Sequence, residues 1–169
     1  NGLFIGSPLT LEEASKHFIL QLSDQPVRIS KHLLYLGQIN ENLPFEKRYS
    51  IGKKIYHGIA CKDELLDDSA LVYEGKDGLF IISGCSHSGI CSIIEYAKKV
   101  CGQNSVTGVI GGFHLMGNDE RLKATIQYFA DNDIKDLYPC HCVCLEAKVE
   151  MAKKLPIHEV GTGLSFEIL

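Results

Sequence analysis

The sequence predicts an α/β protein, in which short apolar strands alternate with amphipathic helices around one layered core. Three observations predict it. Short runs rich in β-branched and aromatic residues recur at Ser69–Tyr73, Leu79–Ser83, Val106–Ile110 and Ile134–Tyr138, the length and composition of strands. Between the later ones, Ile90, Ile93, Ile94, Ala97 and Cys101, then Leu122, Ile126, Phe129 and Ala130, return at helical spacing. Glycine, proline and short polar residues collect at the junctions, where turns are needed. Strand–helix alternation of this kind stacks helices on a sheet.

Residues 1–60 are the least regular third. Thr10-Leu11-Glu12-Glu13 has the capping-box spacing, in which a hydroxyl and a carboxylate satisfy free amides at a helix start; a short helix over Leu11–Phe18 follows. Leu20, Leu22, Val27, Ile29, Leu34 and Leu36, interrupted by Pro26 and Gly37, read as strands or extended loop. Residues 38–60 are polar, with Pro44 and Gly52, and are expected to be mostly loop. Next, Ser69–Tyr73 and Leu79–Ser83 form a hairpin whose turn carries Gly75 and Gly78. Its second strand is apolar throughout, as in a strand covered on both faces. The helix over 122–130 has Asn118 or Asp119 as its cap, and the strand 134–138 stops at Pro139. Leu145, Val149 and Ala152 mark a third helix. Closing strands at Ile157–Val160 and Leu164–Ile168 flank Gly161-Thr162-Gly163. No repeat, linker or low-complexity stretch divides the chain, so residues 1–169 read as a single domain.

The 169 residues suffice for a core. A net charge of −4 without a basic stripe gives no means of neutralising phosphates, so no nucleic acid is expected. No apolar run is long enough to span a bilayer. Asn1-Gly2-Leu3-Phe4-Ile5-Gly6 lacks the basic flank and long apolar stretch of a secretion signal, and its start without Met suggests a segment upstream. The seven cysteines are odd in number and lack a secretory context, so they read as reduced, cytoplasmic thiols. Packing, metal binding and catalysis remain as their roles.

The positional signal is stronger than the composition. Three strands each end in a histidine-containing cluster and each is followed by a helix: Ser83-Gly84-Cys85-Ser86-His87-Ser88-Gly89, Gly111-Gly112-Phe113-His114-Leu115, and Tyr138-Pro139-Cys140-His141-Cys142. The carboxyl ends of strands form the binding crevice of α/β sheets, and imidazole with thiolate suits zinc and related metals. A single buried histidine is ordinarily a core residue with backbone partners, but three at equivalent strand ends share a purpose. Cys85 stands at a strand end two residues before His87. Cys140, Cys142 and Cys144 alternate, so an extended segment would turn them away from His141; Cys142 and Cys144 read better as packing, as do Cys91 and Cys101. Gly84, Gly111 and Gly112 permit sharp turns or close approach. Ser86 or Ser88 can cap the following helix. Asp67-Asp68 reads either as acids orienting a ligand imidazole or as a solvated turn. His17, His32, His57 and His158 read as surface positions.

Gly-Cys-Ser-His-Ser-Gly-Ile (84–90), Ile-Gly-Gly-Phe-His-Leu (110–115) and Pro-Cys-His-Cys (139–142) resemble motifs of metallo-β-lactamase-superfamily proteins related to dihydropterin ribofuranosylaminobenzene-phosphate synthase. Asp-Asp-Ser-Ala-Leu-Val (67–72) and the run over 28–39 resemble the same group, so the likeness spans nearly the whole chain. It implies the C-terminal portion of an αβ/βα sandwich with a metal at its rim: zinc, or alternatively manganese or iron. It carries His87 and His141 over as metal ligands, His114 as a ligand or substrate-facing group, and Cys85 near the place of a bridging acidic ligand. The superfamily's His-x-His-x-Asp-His motif does not occur in these residues, and Cys142-Val143-Cys144 stands where relatives continue Cys-Thr-Gly.

The resemblance implies part of a hydrolase-like enzyme that activates metal-bound water toward a small phosphorylated substrate, a pterin precursor or phosphodiester. The alternative is a catalytically incomplete metal-binding or interaction domain. Such a domain would be a homo-oligomer, or would rely on a complementing N-terminal chain for the missing ligands.

Overall fold

Alternate apolar positions on five strands decide the architecture. In the computed structural model, which describes Phe4 and residues 6–168, the elements run α1 (Leu11–Ser15), β1 (Val27–Arg28), β2 (Leu33–Tyr35), β3 (Lys53–Tyr56), β4 (Ile59–Lys62), β5 (Ala70–Glu74), β6 (Leu79–Ser83), α2 (Ile90–Cys101), β7 (Val106–Gly112), α3 (Glu120–Asp131), β8 (Asp136–Cys140) and α4 (Leu145–Ala152). The opening residues read against a secretion signal lie largely outside the described residues. Six strands form one mixed sheet in the order β1-β2-β5-β6-β7-β8. The pairs from β1 to β6 are antiparallel, and β6-β7-β8 are parallel.

The register aligns one row across the sheet: Leu34 with Val72, Val72 with Ile81, Ile81 with Val109, and Val109 with Leu137. All five are buried. Two successive crossovers in the same direction, β6-α2-β7 and β7-α3-β8, put both helices on one face, because such connections keep a single hand. There Ile90, Ile93, Ile94 and Ala97 of α2, Leu122, Ile126 and Phe129 of α3, and Ala147 and Met151 of α4 join the row in one core. Each Leu, Ile, Val, Phe or Met side chain among them contributes about 2 kcal/mol on burial.

The next row points the other way, since successive strand residues face opposite sides. Tyr35 pairs Leu71, Leu71 pairs Ile82, Ile82 pairs Ile110, and Ile110 pairs Tyr138, and all five are only half-buried. The C-terminal segment covers one end of this face. Phe166 stacks on Tyr138 at 4.6 Å between ring centroids, and His158 stacks on it at 4.4 Å.

The hairpin, the three main helices and the strands before each histidine lie where the sequence predicts them. Residues 38–60 are mostly loop, as predicted, and carry one hairpin besides: β3 and β4 pair across a tight turn in which His57 and Gly58 both take positive φ, 49° and 78°, a backbone that suits the twist of a hairpin. Other expectations differ. Residues 157–160 and 164–168 form no strands; a bridge from Leu137 to Ile157 is their pairing. Pro139 does not stop β8 but sits within it, on the sheet's edge, where its missing N–H costs no ladder bond.

Neither Ser86 nor Ser88 caps α2. Its N-cap is Gly89, without a side-chain cap bond. The fully buried Glu46 reaches in from 45 residues away instead, accepting from Cys91 N at 3.0 Å, Ser92 N at 2.7 Å and Ser92 Oγ at 2.8 Å. A Cβ at residue 89 would collide with that carboxylate.

A candidate metal centre at three strand ends

Parallel pairing in register sets the carboxyl ends of β6, β7 and β8 side by side, with Ile82 opposite Ile110 and Gly112 opposite Cys140. The loops that follow are tied to one another. Gly112 N donates to Gly84 O at 2.7 Å, Leu115 N to Cys142 O at 3.1 Å, and Cys144 N to Leu115 O at 2.9 Å. Ser86 Oγ donates to Gly112 O at 2.6 Å. In each loop one non-glycine residue is held in the left-handed region: Ser86 (φ 56°), His114 (φ 48°) and His141 (φ 52°). That conformation costs about 1–2 kcal/mol per residue, and such strain concentrates at functional sites.

The four residues singled out in the sequence fall into two neighbouring groups. Cys85 and His141 meet in the first, and Cys142 joins them; the two sulfurs and an imidazole nitrogen all lie within 4.8 Å of one another. Cys142 Sγ donates to Cys85 O at 3.3 Å. Gly112 makes the space, since a Cβ there would stand 2.6 Å from Cys142 Sγ and 2.7 Å from Gly84 O. His87 and His114 form the second group, with ring centroids 4.5 Å apart, and the Tyr49 ring packs against His114 at 5.6 Å. His114 Nδ1 is buried with no hydrogen-bond partner.

Alternation along an extended chain puts Cys142 opposite His141 and so predicts packing for it. The strand ends at Cys140, and the positive φ of His141 turns the backbone, so the alternation stops one residue too early. Cys144 does have a structural role, its sulfur accepting from Ala147 N at 3.4 Å at the start of α4. Asp68 proves to be a loop anchor, with Oδ2 accepting from Ser88 N at 2.8 Å. Arg48 holds the same loop, donating to Ser88 Oγ at 2.6 Å and to Ile39 O at 3.1 Å. No local pattern marks Arg48, Tyr49 or Glu46, whose partners Ser88, His114, Cys91 and Ser92 lie far along the chain. His17, His32, His57 and His158 are exposed.

Burial, together with Cys142 and Asp68 beside it, raises the Cys85 thiol above its ordinary pKa. Burial lowers His114 below 6.5, helped by His87 and Arg121 and opposed by Asp68. An open cleft of about 630 Å³ runs from the second sheet face at Tyr35, Leu71 and Ile82 past Asp68 to Cys85 and His87. Sulfur and imidazole together are a donor set for zinc-like ions, so the residues present fit such a group. All seven cysteines are free. Among the described residues, no helix is long and apolar enough to cross a membrane.

The chain has a fold of the metallo-β-lactamase type. Its structure matches that of a metal-dependent hydrolase of the β-lactamase superfamily with a TM-score of 0.74 and 26% identity, over 89% of this chain and 58% of that one. In sequence it is similar to 7,8-dihydropterin-6-methyl-4-(β-D-ribofuranosyl)-aminobenzene-5′-phosphate synthase of Methanocaldococcus jannaschii, 37% identical over 131 residues, 75% of this chain and 45% of the relative. An uncharacterised protein of the same organism is 32% identical over 149 residues, 85% of this chain and 54% of the relative. The chain thus spans about half the length of the curated relatives it matches. No family profile matches it.

Proposed function

We propose that this chain is part of a metal-dependent hydrolase that acts on a small phosphorylated substrate, with zinc as its ion. The observation that carries this reading is the convergence of thiol and imidazole donors at three adjacent strand ends, beside an open cleft. The hydrolase title of the structural relative and the phosphate in the name of the synthase support it. A bound divalent ion would supply Lewis acidity and acidify water. The residues of this chain do the rest. Cys85, Cys142 and His141 offer donors, and His87, on the cleft wall, faces whatever enters. His114, whose pKa is lowered by its burial and by His87, has a ring nitrogen free of protein partners with which to accept or pass a proton. Asp68 and Arg48 hold the Ser86–Gly89 turn in place.

The test is hydrolysis of a model phosphodiester by the zinc-loaded chain. Turnover that disappears on chelation and in His141→Ala is expected. A second reading has a specific observation in its favour: one sheet face is only half-buried across five paired strands, as in a binding domain that is inactive alone or needs a partner chain for further ligands. Metal uptake without turnover would favour that reading over the first.

A further inference from the structure

We infer that the β3–β4 ribbon is a substrate-binding flap over the cleft, in which Lys53 and Lys62 take an anionic group while Ile55, Tyr56 and Ile59 cover the apolar body attached to it. This deepens the hydrolase reading and rests on it only for the phosphate of the substrate.

The ribbon has no packing of its own. No residue from 47 to 69 is buried, none joins the core, and β3 and β4 pair only with each other. A two-stranded ribbon of this kind is marginal by itself, yet its tip exposes Ile55 at 71%, Tyr56 at 63% and Ile59 at 71%. Lysines on a free strand edge keep it from pairing with other chains; an apolar tip does the opposite and calls for a partner. The register sets Lys53 directly opposite Lys62, on the face that also carries Ile55. Like charges so placed, with Cβ atoms about 5 Å apart, destabilise a strand pair. Lys54, on the other face, has Asp63 at 3.9 Å, whereas Lys53 and Lys62 have no acidic partner among the described residues. An anion held between them removes the repulsion.

Both feet of the ribbon stand at the candidate site. Before β3, the Tyr49 ring packs against His114 and Arg48 donates to Ser88 Oγ. After β4, Leu65 and Asp68 line the cleft. Arg48 also ties one foot to the other, donating to Leu65 O at 3.4 Å. Between feet and ribbon, Gly52 (φ 87°) and Leu65 (φ 52°) take left-handed backbone, while the ribbon itself is held by its ladder and its turn. It can therefore swing as one piece on those two points, as closing loops do. Four residues per strand extend about 13 Å, enough to reach across a cleft of about 630 Å³. The opposed lysines lie near the feet and the apolar residues toward the tip. A closed ribbon thus puts charge beside the strand ends and apolar contact farther out, the order that an amphipathic phosphate ester requires.

The chain has no tryptophan, so Tyr56→Trp places a single fluorescent reporter at the tip. The probe is benzylphosphonate, a phosphate-like anion with an apolar body that cannot be hydrolysed, added to the zinc-loaded chain. The indole emission should move to shorter wavelength as the tip leaves water, and calorimetry should show benzylphosphonate bound more tightly than inorganic phosphate. Its affinity should fall about fivefold in the double variant Lys53→Ala, Lys62→Ala, and about tenfold in Ile55→Ser, Ile59→Ser. Unchanged affinity in both double variants would overturn the inference, and turnover of the model phosphodiester by the same preparation would leave the hydrolase reading intact. Emission that shifts with vesicles of anionic phosphatidylglycerol and not with benzylphosphonate would also overturn it, and would make the ribbon a membrane contact. A chain that binds neither benzylphosphonate nor phosphate would overturn it as well. Binding with the expected shift but without phosphodiester turnover would uphold the flap and count against hydrolysis. All five positions lie outside the core, and circular dichroism matching the parent chain shows that a lost affinity comes from the ribbon and not from unfolding.

Discussion

At the scale of single residues, His114 concentrates the features of the site. Its backbone is held at φ 48°, its Nδ1 is buried without a partner, and its ring packs against both His87 and Tyr49. Burial first, then His87 and Arg121, depress its pKa below 6.5, while Asp68 pulls the other way. In the unfolded chain this imidazole takes a proton near pH 6.5; in the fold it resists. The unfolded state therefore binds more protons in the window just below 6.5, and stability rises with pH there. The contribution is fully present above the unfolded value and is lost as pH falls through the folded one. Thermal melts between about pH 7.5 and about pH 5.5 should show a larger loss of Tm for the parent chain than for His114→Gln. Parallel losses would mean that other groups carry the acid sensitivity. The histidine itself was legible in the sequence, as one of three at equivalent strand ends. Its environment was not, because Tyr49 and Arg121 come from segments whose approach depends on the finished fold.

At the scale of elements, local pattern and long-range contact divide the labour visibly. Helix α2 was legible from Ile90, Ile93, Ile94 and Ala97, because a buried face leaves a 3.6-residue period. What holds its N-terminus was not. Gly89 offers no side chain, and the cap comes from Glu46, in a loop that sequence reading left as polar. A carboxylate fits there because the first amides of a helix are unpaired and carry partial positive charge. Glu46→Ala should cost about 3 kcal/mol in urea unfolding, since it leaves the amides of Cys91 and Ser92 buried and unpaired. A loss under about 0.5 kcal/mol would show that water replaces the cap. The missed β3–β4 hairpin has the same lesson from the other side. Its strand residues Lys53, Ile55, Tyr56 and Ile59 are exposed, so no core-facing alternation announces it, and only the His57-Gly58 turn does. The third helix was found by the wrong residues: Leu145 and Val149 face solvent, while Ala147 and Met151 pack.

At the scale of the whole molecule, the apolar strand Leu79–Ser83 was read as covered on both faces, and one of those faces is met by α2 and α3. The other is the row of Tyr35, Leu71, Ile82, Ile110 and Tyr138, half-buried across five paired strands. Phe166 and His158 shield it at Tyr138, and Phe166 packs on Phe80 beside it. Its centre opens into the cleft that leads to Cys85 and His87, so whatever covers the sheet also forms a wall of the candidate site. Contiguous apolar surface of this kind is rare on stable monomers and promotes association. We expect the isolated chain to self-associate through this face, unless a complementing chain takes the place of a second copy. Sedimentation velocity should give a species of at least two chains at micromolar concentration, and Leu71→Arg or Ile82→Glu should shift it toward monomer. Both positions lie away from the helix-side core, so the charged variants should keep the parent circular dichroism. A chain that is monomeric at every concentration, and that does not bind a dye for exposed apolar surface, would show that the row is covered from within. The cleft would then be closed by segments of the chain itself, and its substrate would be bound by one copy alone.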